Sequence, residues 1–277
     1  MKQGFSSRVD DVVAAIRRAT DFVPHAAIVT GTGLGPVLDD IRVVARLAYA
    51  DLPGFPVSTA PSHAGELLLG MLGDLPVVAQ NGRFHLYEGW EGDDIVLPVY
   101  VMRALGAKSY VVTNAAGALN PDLRVGSAVL IQDHISFLGV HPLAGPNDDR
   151  LGLRFPDMSR AYDPDLRAGA ITAADAEGVA LEQGIYAAVH GPEFETSAER
   201  RFLRMAGGDL VGMSTVLEVV AANHAGMRVL GFSAVTNNAS GGPDQQPDTL
   251  EEVLENAAIG GDIIRRILLR MIREGGL

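Results

Sequence analysis

Short apolar segments bounded by small or turn-forming residues alternate, along most of the 277 residues, with segments that carry apolar positions at helical spacing behind a capping residue. That alternation constrains the fold more than any other feature, because capped helices between strands have to pack on the faces of a shared sheet. Ser7 followed by Asp10 predicts an amphipathic helix through about Ala19, with Val9, Val12, Val13 and Ile16 on its apolar side. "HAAIVTG" reads as a buried strand, and "ELLLGMLGDLPVVAQNG" as two strands turned at Gly73-Asp74. Asp93 and Asp94 predict the start of a helix that stops at Gly106, and "KSYVVTNAAG" and "SAVLIQDHISF" are further strands. Asp163-Pro164 caps a helix to about Gly178, "IYAAVHG" is a strand, and Thr196 with Glu199 forms a capping box. "DLVGM", a helix capped by Thr215 and Glu218, the strand "RVLGFSAVTNN" and a terminal helix capped by Thr249 and Glu252 complete the series. The expectation is a single α/β domain over residues 1–277, with a central mixed, largely parallel twisted sheet flanked by helices.

Ligands of open α/β sheets bind outside the carboxyl ends of strands. Here those ends are repeatedly small or polar: Thr30 to Gly35, Gln80 to Tyr87, Thr113 to Gly117, Gly191 to Glu195, Gly212 to Thr215 and Thr236 to Ser240. They are expected to line one pocket, with the Gly/Pro-rich run from Asn237 to Asp248 as a mobile loop over it. The first end, "IVTGTGLGPVLDD", has glycines at 31, 33 and 35 but Pro36 where a dinucleotide fingerprint needs its third glycine, and no Gly-Lys-Ser/Thr follows. A smaller phosphate-bearing ligand or an ordinary tight turn fits that spacing better than a dinucleotide.

A formal charge of −12 argues against nucleic-acid or anionic-membrane partners, so an anionic ligand has to be held by a few placed donors. The absence of cysteine excludes disulfides, thiolate metal sites and a cysteine nucleophile, and fits a cytoplasmic protein. The N-terminal residues lack the apolar core of a signal peptide, and no run reaches the roughly 20 apolar residues of a membrane span. Neither H-E-x-x-H nor G-x-S-x-G occurs, nor a cluster of histidines at metal spacing.

"NGRFHLYEG" puts Arg83, His85 and Tyr87 at alternating positions, on one face if extended; arginine's fork and histidine's ring suit a phosphate, although a polar strand edge has the same pattern. His63 in "PSHAGE" reads equally as a loop histidine. Glu195 in "GPEFET" can serve a ligand or the helix dipole, Ser214 and Thr215 can cap a helix or meet an anion at its start, and Met213 suits a core.

Taken in order, "GTGLG", "PSHAGE", "NGRFHLYEG", "VTNAAGALNP", "RFPDMSRAYD", "GPEFET", "VGMSTVLEVVAANHAGMRVLGFSAVTN" and "EEVLE" resemble the trimeric purine nucleoside phosphorylases of 6-oxopurine specificity over nearly the whole chain. The resemblance implies reversible phosphorolysis of inosine, guanosine and their deoxy analogues to free base and (deoxy)ribose 1-phosphate. It implies a homotrimer with active sites near subunit interfaces and inorganic phosphate as co-substrate, with no metal or organic cofactor needed. It assigns phosphate binding to Thr32, Arg83, His85, the backbone N–H of Ala115, and Ser214. Ribose would lie over Met213 near Tyr87, the base would meet Phe194, Val211, Thr236, Glu195 and Asn237, and His63 would belong to a gate. Catalysis would rest on Asn237, Glu195 and His85. Two positions depart from the family pattern: Leu250 stands where a histidine commonly binds the ribose 5′-hydroxyl, and Leu151 where a phenylalanine commonly reaches a neighbouring subunit's ribose. The alternatives are a methylthioadenosine phosphorylase, against which Asn237 argues because those relatives carry aspartate there, and a non-catalytic nucleoside sensor.

Overall fold

Strand β1 (Ala26–Thr30) is buried at every position, with Ala27 and Val29 in one apolar layer and Ala26 and Ile28 in another. A strand covered on both faces shows a continuous apolar run, which is how "AAIVT" reads. In the computed structural model residues 4–59, 63–243 and 245–277 are described; Asp244 of the predicted loop and Pro61 and Ser62 before His63 lie outside them.

The other strands are β2 (Ile41–Ala48), β3 (Glu66–Leu72), β4 (Leu75–Asn81), β5 (Ser109–Ala118), β6 (Ala128–Ser136), β7 (Glu182–Ala188), β8 (Leu210–Gly212) and β9 (Arg228–Asn238). Their order in the sheet is β2-β3-β4-β1-β5-β8-β7-β6-β9. Parallel pairs (β1–β4, β1–β5, β5–β9, β6–β7, β7–β8) mix with antiparallel ones (β2–β3, β3–β4, β5–β8, β6–β9). Because β5 also pairs with β9, the run from β5 through β8, β7 and β6 closes on itself. After a register shift between Ala116 and Gly117, the end of β5 pairs on one side with Asn237 and Asn238 of β9 and on the other with Val211 and Leu210 of β8.

Helices α1 (Phe5–Ala19), α2 (Gly92–Leu105) and α5 (Val216–His224) cover one face, and α3 (Pro164–Ala176) and α6 (Leu250–Arg273) the other. Helix α4 (Ser197–Met205) packs through Leu203 on β7 and β8, against Ala187 and Val211. The hairpin, the Thr196–Glu199 box and the Thr249 cap form as the sequence predicts. Helix α1 begins at Phe5 rather than Ser7, because the buried Phe5 ring meets Tyr100 edge-on at 5.4 Å and draws the first turn into the core. Helix α2 is capped by Glu91, two residues before Asp93, through a reciprocal pair with Asp94, and α3 ends at Ala176 rather than Gly178. The parallel strands β1, β4, β5 and β9 bring their carboxyl ends to one edge of the sheet.

Candidate active site

Glycine at residue 31 lets these strand ends meet without strain. A Cβ there would lie 3.0 Å from Asn114 Cα and 3.2 Å from the Thr113 carbonyl oxygen, so the turn after β1 rests directly on the backbone of β5. Beside that contact opens a cleft of about 150 Å³ lined by all six predicted strand ends. Thr32, Arg83, His85, Tyr87, Ala115, Gly117, Phe194, Glu195, Val211, Met213, Ser214, Thr236 and Asn237 all line it. Leu250 and Val253 from the start of α6 close the rim, whereas Leu151 packs against the core layer of α1, α2 and α5.

Arg83 is only 1% exposed, and its charge is matched by Glu218, with Nε 3.3 Å from Oε1. Its Nη1 donates to the Thr113 carbonyl at 2.7 Å and to Ser214 Oγ at 3.1 Å, while Nη2 is buried without a protein partner among the described residues. The guanidinium is therefore fixed as a rigid fork with donor capacity to spare, the requirement for planar anion recognition.

Ser214 is aimed by strain in the next residue. Thr215, at φ +74 and ψ −53, forms a γ-turn in which Val216 N donates to Ser214 O at 2.8 Å. A β-branched residue resists this conformation, and here it is overdetermined: Thr215 N donates to Glu218 Oε2 at 2.9 Å and Asn114 Nδ2 donates to Thr215 Oγ1 at 2.9 Å.

His85 Nδ1 lies 2.8 Å from Glu88 Oε1, and since a carboxylate only accepts, Nδ1 carries the hydrogen and Nε2 is left as the ring's other polar atom. Burial alone would raise the Glu88 carboxyl, but hydrogen bonds from His85 and from the backbone and hydroxyl of Thr59 hold it down to about 2. The segment is not extended as the alternating pattern predicts, since Leu86–Glu88 forms a 3₁₀ turn. Arg83, His85 and Tyr87 still share the cleft, because the turn stacks Tyr87 on His85 at 4.6 Å. Burial, with help from Glu88, pushes the Tyr87 hydroxyl up to about 12, so it remains a donor at neutral pH.

His63 does not line the cleft. It stacks behind His85 at 5.5 Å and donates from Nδ1 to the Arg83 carbonyl at 2.9 Å. Burial, then the charges of His85 and Arg83, lower it to about 4, so it is neutral at pH 7. Between its ordinary value of about 6.5 and 4 the unfolded chain binds the extra proton, so acidification through that window removes stability, by on the order of 3 kcal/mol at full effect. His63→Gln is expected to narrow the drop in melting temperature between pH 7 and pH 4.5; parallel curves for the two proteins would contradict this.

Elsewhere in the cleft, burial pushes the Glu195 carboxyl up, an effect opposed by its backbone hydrogen bond and by the nearby Arg200. Asn237 Oδ1 accepts from Thr236 Oγ1 at 2.8 Å, and Asn237 Nδ2 donates to Asp248 Oδ1 at 2.7 Å. Among the described residues no three His, Asp or Glu side chains converge as metal ligands, and no helix is long and apolar enough to cross a membrane.

Residues 25–273 match the family model described as the phosphorylase superfamily. The chain belongs to this superfamily. Purine nucleoside phosphorylase 1 of Bacillus subtilis is 48% identical over 248 residues, covering 90% of this chain and 91% of the relative. The purine nucleoside phosphorylase of Schistosoma mansoni in complex with adenosine superposes with a TM-score of 0.91 at 38% identity, covering 97% of each chain. A Schistosoma mansoni purine nucleoside phosphorylase in complex with inosine gives 0.91 at 37% identity, covering 97% of this chain and 96% of that one. Within this phosphorylase fold, sequence reasoning missed Glu88 as the anchor of His85, Glu218 as the counter-ion of Arg83, and Arg200 and Asp248 beside Glu195 and Asn237. Glu218 carried a signal, since a carboxylate three residues after Thr215 marked the turn, but it was legible only as a cap.

Proposed function

We propose that this chain is a purine nucleoside phosphorylase, a pentosyltransferase that reversibly converts inosine, guanosine and their deoxy analogues with inorganic phosphate into free base and (deoxy)ribose 1-phosphate. One observation carries the reading: an anion-binding fork, Arg83 on Ser214, lies in the same cleft as a carboxylate and a carboxamide, Glu195 and Asn237, that suit a purine edge. In this reading Thr32, Arg83, His85, Ala115 N–H and Ser214 hold phosphate. Met213 and Tyr87 hold the ribose, and Phe194, Val211 and Thr236 pack or position the base.

Breaking the N-glycosidic bond leaves positive charge on the sugar and negative charge on the purine. Phosphate beneath the sugar stabilises the first and bonds to the anomeric carbon as the carbon–nitrogen bond breaks. Asn237 Nδ2 donates toward N7 as electrons collect there, and Glu195 accepts from N1–H; both bonds strengthen in the transition state. Tyr87 donates to a sugar hydroxyl. His63, packed behind His85, supports this wall rather than touching substrate. Assembly as a homotrimer in the cytoplasm belongs to the same reading; exposed Phe137 and Phe202, in a hollow that shares Glu195 with the cleft, are apolar surface that an assembly would bury.

A carboxylate pairs with the N1–H of a 6-oxopurine but opposes the bare N1 of adenine, a mismatch worth roughly 10⁴ to 10⁵ in sites built on such bonds. Initial rates with inosine, guanosine, adenosine and methylthioadenosine, each with phosphate, are expected to favour the first two by at least about 10². A second reading, methylthioadenosine phosphorolysis, is favoured by Leu250, which lines the rim with an apolar side chain. A preference for methylthioadenosine in the same assay would establish it instead.

A further inference from the structure

Arg200 and Asp248 form a buried ion pair next to the cleft, with side chains 3% and 5% exposed. Arg200, in α4, directs Nη2 to Asp248 Oδ2 and Nε to the Glu195 carbonyl oxygen at 2.9 Å, with Glu195 Oε2 3.9 Å away. Asp248, just before α6, uses its second oxygen to accept from Asn237 Nδ2. The two base-facing residues, 42 positions apart on separate elements, are thus joined through one arginine and one carboxylate.

The pair also dictates which way the Asn237 amide faces. A carboxylate only accepts, so the atom turned to Asp248 has to be Nδ2, and Oδ1 is left to accept from Thr236 Oγ1. Nδ2 keeps a second hydrogen for an acceptor on the purine edge, such as N7 or a 6-oxo group, whereas a 6-amino group offers a donor. We propose that Arg200 and Asp248 are positioning residues that lock the Asn237 amide and the Glu195 carboxylate into the arrangement that selects a 6-oxo over a 6-amino edge. This rests on the phosphorolysis reading above.

Asp248→Asn is nearly isosteric and makes a sharp test. Its amide has to present oxygen to Arg200, so it presents NH₂ to Asn237, and Asn237 is forced to turn its Oδ1 there instead. Steady-state kinetics on inosine and adenosine, with the phosphate KM measured alongside, are expected to show inosine kcat/KM lowered by about tenfold or more. The inosine-to-adenosine ratio should narrow by about tenfold, with the phosphate KM within about twofold of wild type. Arg200→Met should shift the ratio in the same direction, and the double variant should cost less than the two single losses combined, since the residues act as one unit. Asp248→Glu, which keeps the carboxylate, should recover part of the ratio. Melting curves identify any variant that does not fold, and the ratio is then read on the remaining ones. Equal losses on both nucleosides, or an unchanged ratio, in a wild-type enzyme that cleaves inosine with phosphate would overturn this proposal alone. A wild-type protein that leaves inosine intact would overturn the phosphorolysis reading, and this proposal with it.

Discussion

Arg83→Ala is expected to abolish efficient use of phosphate, lowering kcat/KM for phosphate by on the order of 10³, and to weaken the fold as well. The first effect follows from the loss of a fork that is fixed by Thr113 and Ser214 and has an uncommitted Nη2. The second follows from Glu218, which is 2% exposed and would be left as an unpaired buried charge, a loss of about 3–5 kcal/mol. The effects separate experimentally. Glu218→Gln in the Arg83→Ala background should restore much of the melting temperature and none of the phosphate affinity. Arg83→Lys should not rescue activity, because a point charge cannot reach Glu218, Thr113 and Ser214 in one plane. Phosphate kinetics and thermal melts on these variants check the prediction, and an unchanged phosphate KM in Arg83→Ala would remove Arg83 from the anion site.

Asn237→Ala is expected to lower kcat for inosine by about 10² to 10³ while leaving the phosphate KM near wild type. The amide makes its protein hydrogen bonds to Thr236 and Asp248, whereas Arg83 is held by Thr113, Ser214 and Glu218, so removal of the amide leaves the Arg83 fork in place. The effect falls on kcat because a bond to N7 gains most as charge develops on the departing base. A rise in the nucleoside KM with kcat preserved would mean that Asn237 binds ground and transition states equally.

The site was legible in the sequence to the extent that local chemistry announced it. Glycines after β1, small residues ending β5 and β9, and Arg83 with His85 and Tyr87 all identified strand ends, and the parallel sheet carries those ends to one edge. Long-range pairings left no such trace. Glu218 reads as a helix cap and also does that work; its partnership with Arg83 spans 135 positions and appears only when the segment after β4 and helix α5 are packed together. Arg200 reads as one of two adjacent arginines on an amphipathic helix, and nothing local says that it turns inward to Asp248, 48 positions on. Strand β2 was missed for a different reason: its residues are mostly exposed at the sheet edge, so the apolar alternation that marks a strand is absent. The pairing of β5 with β9, 119 positions apart at Ser109 and Arg228, is a property of two strands together rather than of either sequence.

The most direct test incubates the purified protein with inosine, with and without phosphate, and identifies both products. Hypoxanthine and ribose 1-phosphate in equal amounts, formed only when phosphate is present, is the predicted result. Hypoxanthine with free ribose in the absence of phosphate, or no cleavage under either condition, would contradict it.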